Sequence, residues 1–229
     1  MKQRLAAPSD VIDLAGVAGM HGIDTADGVV SVGALTRHAE VAGSATVRGV
    51  LPVLSSLAGR IGDGQVRNLG TLGGSVANSD PAADYPAAVV ALGATIATHC
   101  PRIPADEYFV DLFETALKPG EVVMRVHFPV PDRAAYRKFA HPASGYAVVG
   151  VLVADFAGHI RVGITGAGPC AFRCTAFEEA LADDLRPEAV DAVPVPDAGF
   201  NSDLFASAEY RAHLVRVMAR RAVADLLAV

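Results

Sequence analysis

Apolar positions recur along the chain with two different periods, and the switches between them mark the elements. Val29-Val30-Ser31-Val32-Gly33 follows the turn Ala26-Asp27-Gly28 and predicts a strand. Leu35 to Ala42 predicts a short helix with Thr36 near its start. Val47 to Ile61 carries apolar residues at 50, 51, 53, 54, 57 and 61, a helical spacing that admits Pro52 only in a first turn. Pro81 to Leu92 predicts a helix, with Ser79 or Asp80 as cap, Pro81 at the first helical position and Asp84 in the first turn. Ala94 to His99 predicts a strand, Arg102-Ile103-Pro104 a turn, Tyr108 to Leu117 a short helix or ordered loop, and Glu121 to Phe128 a strand. Beyond a boundary at Pro129 to Asp132, Ala135–Phe139, Ala147–Phe156 and Ile160–Thr165 predict three strands. Ala176–Ala182 and Ser207–Leu227 predict helices, the second bearing Arg211, Arg216, Arg220 and Arg221. Strands followed by helices are an α+β layout, in two domains of 1–130 and 131–229.

Composition narrows the class. Of the 229 residues 52% are hydrophobic and 19% charged, which excludes a mainly disordered chain. A formal net charge of -6 without a basic tract argues against nucleic-acid or anionic-membrane binding. The longest stretch free of Asp, Glu, Lys and Arg, Tyr85 to Pro101, is interrupted by Pro86, Gly93 and His99; a span needs roughly 20 mainly apolar residues. Asp10 and Asp13 interrupt any apolar core of a leader peptide, so a soluble cytoplasmic protein is expected. Cys100, Cys170 and Cys174 suit neither a disulfide framework nor a metal site, and no metal is expected.

The densest signal lies at 62–80, where glycines occupy 62, 64, 70, 73 and 74. The turn Thr71-Leu72-Gly73-Gly74-Ser75 is the best site candidate. Adjacent glycines let a backbone approach a ligand and aim N–H groups at an anion such as a pyrophosphate, and Thr71 and Ser75 add hydroxyls. It is neither a Walker A loop nor a Rossmann fingerprint, and a purely structural turn is the other reading. Asp80 and Asp84 read as capping residues before a catalytic pair. Lys138, His141 and Tyr146 cluster in KFAHPASGY, either a surface loop between strands or a ligand-facing loop. No nucleophile with a paired base is marked.

The run QVRNLGTLGGSVANSDPAADYPAAVVALGATI (65–96) closely resembles the FAD-binding medium subunit of molybdenum hydroxylases, of the carbon monoxide dehydrogenase and xanthine dehydrogenase type. VSVGALTRHAEVAGS (30–44), DLFETALKPGEVVMRVHFP (111–129), KFAHPASGYAVVGVLVA (138–154) and VGITGAGPCAFRCTAFEEAL (162–181) resemble the same family. The resemblance implies a PCMH-type FAD-binding domain, its second α/β subdomain, followed by a three-strand-plus-helices C-terminal domain of the carbon monoxide dehydrogenase flavoprotein type. It implies an electron-transfer flavoprotein subunit without substrate chemistry of its own. Electrons would come from [2Fe–2S] clusters on a small subunit, the molybdenum cofactor would sit on a large subunit, and the complex would be a dimer of heterotrimers. Residue by residue it implies that Thr71, Leu72, Gly73, Gly74 and Ser75 form a phosphate-side loop. Asp84 would contact the flavin nucleotide, Ile61 and Val123 would lie near the cofactor, Lys138 would be a flavin-site lysine, and Tyr146 would lie near the isoalloxazine ring.

The sequence departs from the family pattern at its start. Members open with a small subdomain whose Ala-Gly-Gly-Gln-Ser-Leu loop is the first pyrophosphate cradle, and here Met1-Lys2-Gln3-Arg4-Leu5 aligns just after it. A misplaced start, a separate chain or a truncated member would each explain this. The expectation is weakened or absent FAD in this chain alone. The alternative function is a cofactor-free scaffold or interaction remnant of that family.

Overall fold

A computed structural model describes residues 8–100 and 102–228; the alignment of Met1 to Leu5 lies outside the described residues. Two antiparallel sheets share one buried helix. The first sheet is built from β1 (Ile23–Ala26), β2 (Val29–Gly33), β3 (Thr95–Thr98), β4 (Arg102–Pro104) and β7 (Val123–Pro129), in the order β1-β2-β7-β3-β4. β5 (Phe109–Asp111) and β6 (Glu114–Thr115) form a small separate hairpin. β1 and β2 turn through Asp27 and Gly28, both at positive φ, the requirement of a two-residue hairpin matched to strand twist. The second sheet orders β11 (Phe172–Arg173), β10 (His159–Thr165), β9 (Ala147–Phe156) and β8 (Arg133–Ala140).

Several sequence expectations need correction. Val47 to Ile61 is not one helix: α2 (Ala45–Val50) ends at Leu51 and α3 (Pro52–Gly59) starts afresh, because Pro52 cannot continue a helix but fits at the head of one. The shorter α1 (His38–Gly43) precedes them. The glycine-rich stretch folds as two helices, α4 (Gly64–Leu69), capped by Asp63, and α5 (Leu72–Asn78), capped by Thr71. Thr71 to Ser75 is thus a helix start: the Thr71 cap and the burial of Leu72, Gly73 and Val76 in the core together offset the low helix propensity of two glycines. α6 covers Tyr85–Ala91 with Pro86, not Pro81, in its first turn. Arg102–Pro104 is an edge strand paired with β3, and Tyr108–Leu117 holds the β5–β6 hairpin.

All seven residues of α6 are buried. A helix apolar on every side belongs between layers, and α6 lies against β9 and β10 on one side and the helices of the first half on the other. Alternation along β8 divides its side chains. Tyr136 joins the first core with Leu152 and Ala154 of β9, whereas Ala135 joins the second with Val149, Val151 and Val153. α7 (Thr175–Asp183) and α8 (Ala208–Ala228) cover that second face. Arg211 of α8 is buried, donating to Val148 O and Gly166 O at 2.7 Å and pairing with Asp203 at 2.7 Å. Arg216 is half-buried and donates to Val193 O at 3.3 Å, while Arg220 meets Asp191 at 3.1 Å on the exposed face that it shares with Arg221. Among the described residues, no helix is long and apolar enough to cross a membrane.

Close packing of α6 on β10 requires Gly163, where a Cβ would lie 2.4 Å from Ala87 O and 2.9 Å from Ala91 Cβ. Gly163→Val is expected to destabilise the chain by about 2 kcal/mol or more, measured as a drop in the urea midpoint at unchanged slope.

Candidate functional site

α5 stands between two cavities. The larger, about 430 Å³, is lined by Ile61, Thr71, Gly74, Ser75, Asp84 and Tyr146, with His38, Leu69 and Asn78 among the other walls. The smaller, about 210 Å³, lies on the other flank and includes Gly73 and Val123 with Met20 and Ala34. Thr71 and Gly74 line both. Two of the expected site residues face neither: Leu72 is fully buried in the first core, and Lys138 lies behind Asp84.

The two glycines of the helix start do different things. A Cβ on Gly73 would sit 2.3 Å from Ala34 Cβ, so Gly73 exists to seat α5 on the chain leaving β2. A Cβ on Gly74 would meet only Thr71 Oγ1, at 2.9 Å, and a larger side chain there would project where the two cavities meet. The N–H groups of this turn are already taken. Leu72 N donates to Thr36 O, Gly73 N to Ala34 O, Ser75 N to Thr71 O and Gly74 N to Thr71 Oγ1. The expected N–H cradle is therefore spent on the protein's own acceptors. The turn offers an anion the helix-end field and hydroxyl donors, since Thr71 Oγ1 accepts from Gly74 and keeps its own proton free.

Asp84 does not cap α6; no side-chain cap bond forms there. Its side chain is fully buried and held by two partners. Tyr136 Oη donates to Oδ1 at 2.6 Å, and Lys138 Nζ lies 2.9 Å from Oδ1 and 3.0 Å from Oδ2. Burial pushes the Asp84 carboxyl above its ordinary range, against the pull of Lys138 and the Tyr136 bond. Burial, reinforced by the Asp84 charge, holds the Tyr136 and Tyr85 phenols above theirs. Composition and motif had not pointed to Tyr136. The available signal was the strand period: residues 136 and 138 share a face of β8, so whatever meets Lys138 can meet Tyr136.

His38 is a second cleft residue that motif reading passed over. It is 5% exposed, its Nδ1 has no partner, and its ring tilts against Tyr85 at 5.3 Å. Burial, then the Arg67 charge, lowers its pKa to about 4. The thiols divide: Cys100 is exposed, while burial raises the partly buried Cys170 and Cys174. No group of three or more His, Cys, Asp or Glu among the described residues could hold a metal.

Residues 1–131 match the family model described as "FAD binding domain in molybdopterin dehydrogenase". The chain belongs to this FAD-binding family. Its relatives agree along nearly the whole length. The alpha subunit of the 6-hydroxypseudooxynicotine dehydrogenase complex of Paenarthrobacter nicotinovorans is 34% identical, over 98% of this chain and 81% of that protein. The carbon monoxide dehydrogenase medium chain of Hydrogenophaga pseudoflava is 30% identical, over 97% and 83%. In three dimensions the fold is similar to a chain of reconstituted carbon monoxide dehydrogenase from Oligotropha carboxidovorans, with TM-score 0.89 and 31% identity over 100% of this chain and 85% of that one. The expected α+β flavoprotein fold is thereby shown, as is the family's FAD-binding character. The chain is a medium, FAD-binding subunit of the molybdenum hydroxylase type.

A buried neutral histidine makes this flavoprotein fold acid-sensitive. Unfolded His38 takes up a proton near pH 6.5 and the folded one only near 4, so its contribution is complete above pH 6.5 and is lost as pH falls toward 4. Stability is expected to drop by roughly 3 kcal/mol across that window. His38→Gln should flatten that part of a urea-midpoint profile against pH; an unchanged profile would contradict the assignment.

Proposed function

We propose that the chain is the FAD-binding electron-transfer subunit of a molybdenum hydroxylase complex. It would hold the flavin between iron–sulfur clusters on a small subunit and an external acceptor, while a large subunit carries the molybdenum cofactor. When bound, FAD supplies the redox chemistry. The residues of this chain supply position and field. Substrate chemistry would belong elsewhere, which suits a cleft without a nucleophile–base pair.

The observation that carries this reading is Gly74. It lies in a stretch of FAD-binding family sequence, at the meeting point of two cavities, with one heavy atom near its Cβ position. Together the cavities make an elongated site around a helix start, suited to a long ligand with an anionic middle. Thr71 and Ser75 would donate hydroxyls to the phosphates. Ile61 and Tyr146 would flank the cofactor in the larger cavity, with Asp84 at its wall and Val123 and Gly73 in the smaller. Leu72 would act by anchoring the turn in the core. In this reading residues 1–130 carry most of the flavin site and residues 131–229 close it with Tyr146.

The test is a fluorescence titration of the purified chain with FAD. Saturable one-to-one binding is expected, weakened roughly tenfold or more in Gly74→Val, while the thermal midpoint moves by only a few degrees. Absence of saturation up to about millimolar FAD, the range of about 4 kcal/mol of binding energy, would favour the cofactor-free scaffold instead.

A further inference from the structure

The wall of the larger cavity is assembled from three segments far apart in the chain: Arg60 to Gly62 after α3, Asp84 before α6, and the loop 141–146 between β8 and β9. One side chain touches all three. Lys138 Nζ donates to Arg60 O at 2.8 Å and to Gly145 O at 2.7 Å, and it spans both oxygens of Asp84 at 2.9 and 3.0 Å. An ammonium has three donors, and all three are spent. The side chain is 3% exposed and lines neither cavity. What faces the larger cavity is the neighbour of each held group: Ile61 after Arg60, Tyr146 after Gly145, and Asp84 itself.

The surrounding backbone is shaped for this arrangement. Gly62 and Gly145 both take positive φ, and a Cβ on Gly145 would lie 3.6 Å from Gly62 Cα, so the two loops meet backbone to backbone. Arg67 Nη1 holds the same corner from the other side, donating to Ile61 O and Gly62 O at 2.9 Å. Tyr136 completes the Asp84 shell with its 2.6 Å bond. A Cβ on Gly150 would lie 2.4 Å from the Tyr136 hydroxyl, so the glycine leaves the room that the hydroxyl needs.

We propose that Lys138 is a positioning residue and not a ligand contact: it clips the three wall segments together, with Tyr136 orienting Asp84, and so sets Ile61 and Tyr146 in place before any flavin arrives. The consequence for flavin rests on the function proposed above. The clip itself is a property of the free chain. A direct contact from Lys138 to a ligand would require it to leave one of its three partners.

Amide hydrogen exchange of the full-length, flavin-free chain tests this, beside an FAD titration. The loop 141–146 is readable because His141 N donates to Tyr146 O and Gly145 N to His141 O, both at 2.8 Å. In Lys138→Met, exchange in this loop is expected to rise about tenfold while β9 and α8 stay near wild type, and FAD affinity is expected to fall with it. Wild-type exchange in the loop together with lost FAD affinity would make Lys138 a direct contact and overturn the proposal. If Lys138→Met fails to fold, Tyr136→Phe carries the test, because it keeps the ion pair and removes one hydrogen bond. It is expected to speed loop exchange about threefold, and unchanged exchange would overturn the proposal. If no chain binds FAD yet the exchange pattern appears, the clip stands and the flavin reading fails.

Discussion

Removing an aspartate and a lysine from water together is the constraint on which this fold turns. Each charge alone would cost several kcal/mol to bury, and the attraction between them offsets that only if the remaining donors and acceptors also find partners. Here they do. Lys138 uses two backbone carbonyls beyond the carboxylate, and Asp84 adds the Tyr136 hydroxyl. Such a pair tolerates one geometry, so it registers the start of α6, the end of α3 and the β8–β9 loop against one another. The cleft is what that registration leaves open.

The opposite end of α6 is held by a different cation. Arg161 of β10 donates to the helix-end carbonyls Val90 O at 2.8 Å and Ala91 O at 3.2 Å, the first shared with Gly93 N, and it pairs with Asp106 at 2.5 Å. Between these ends the side chains are apolar apart from the Tyr85 hydroxyl, which is buried without a hydrogen-bond partner among the described residues, and the helix packs on all sides. Gly163 lets β10 approach it, and Gly73 lets α5 approach β2. A fully buried helix pinned at both termini explains how one short element joins two sheets and still presents a charged residue at the cleft wall.

Much of this was legible in the sequence where one interaction decides the local structure. Val29–Gly33 after its turn and the mainly apolar stretch Ala147–Phe156 read as strands, and both are found, the second buried along almost its whole length. Ile61, Thr71, Gly74, Ser75, Asp84 and Tyr146 do converge on one cleft. What escaped depends on partners distant in the chain. Asp84 reads as a cap until Tyr136 and Lys138 arrive from 52 and 54 residues away. The amide groups of Gly73 and Gly74 read as free until Ala34 O and Thr71 Oγ1 claim them. Arg102–Pro104 reads as a turn because its strand character comes from β3 and not from its own three residues.

A double-mutant cycle on Asp84→Asn and Lys138→Met, followed by urea unfolding, measures the central claim most directly. If the buried pair organises the fold as described, the two losses overlap, and the double variant is more stable than the sum of the singles implies by about 1.5 kcal/mol or more, within the range of contacting residues. Additive losses, within about 0.5 kcal/mol, would contradict the account and reduce the pair to two independent neighbours.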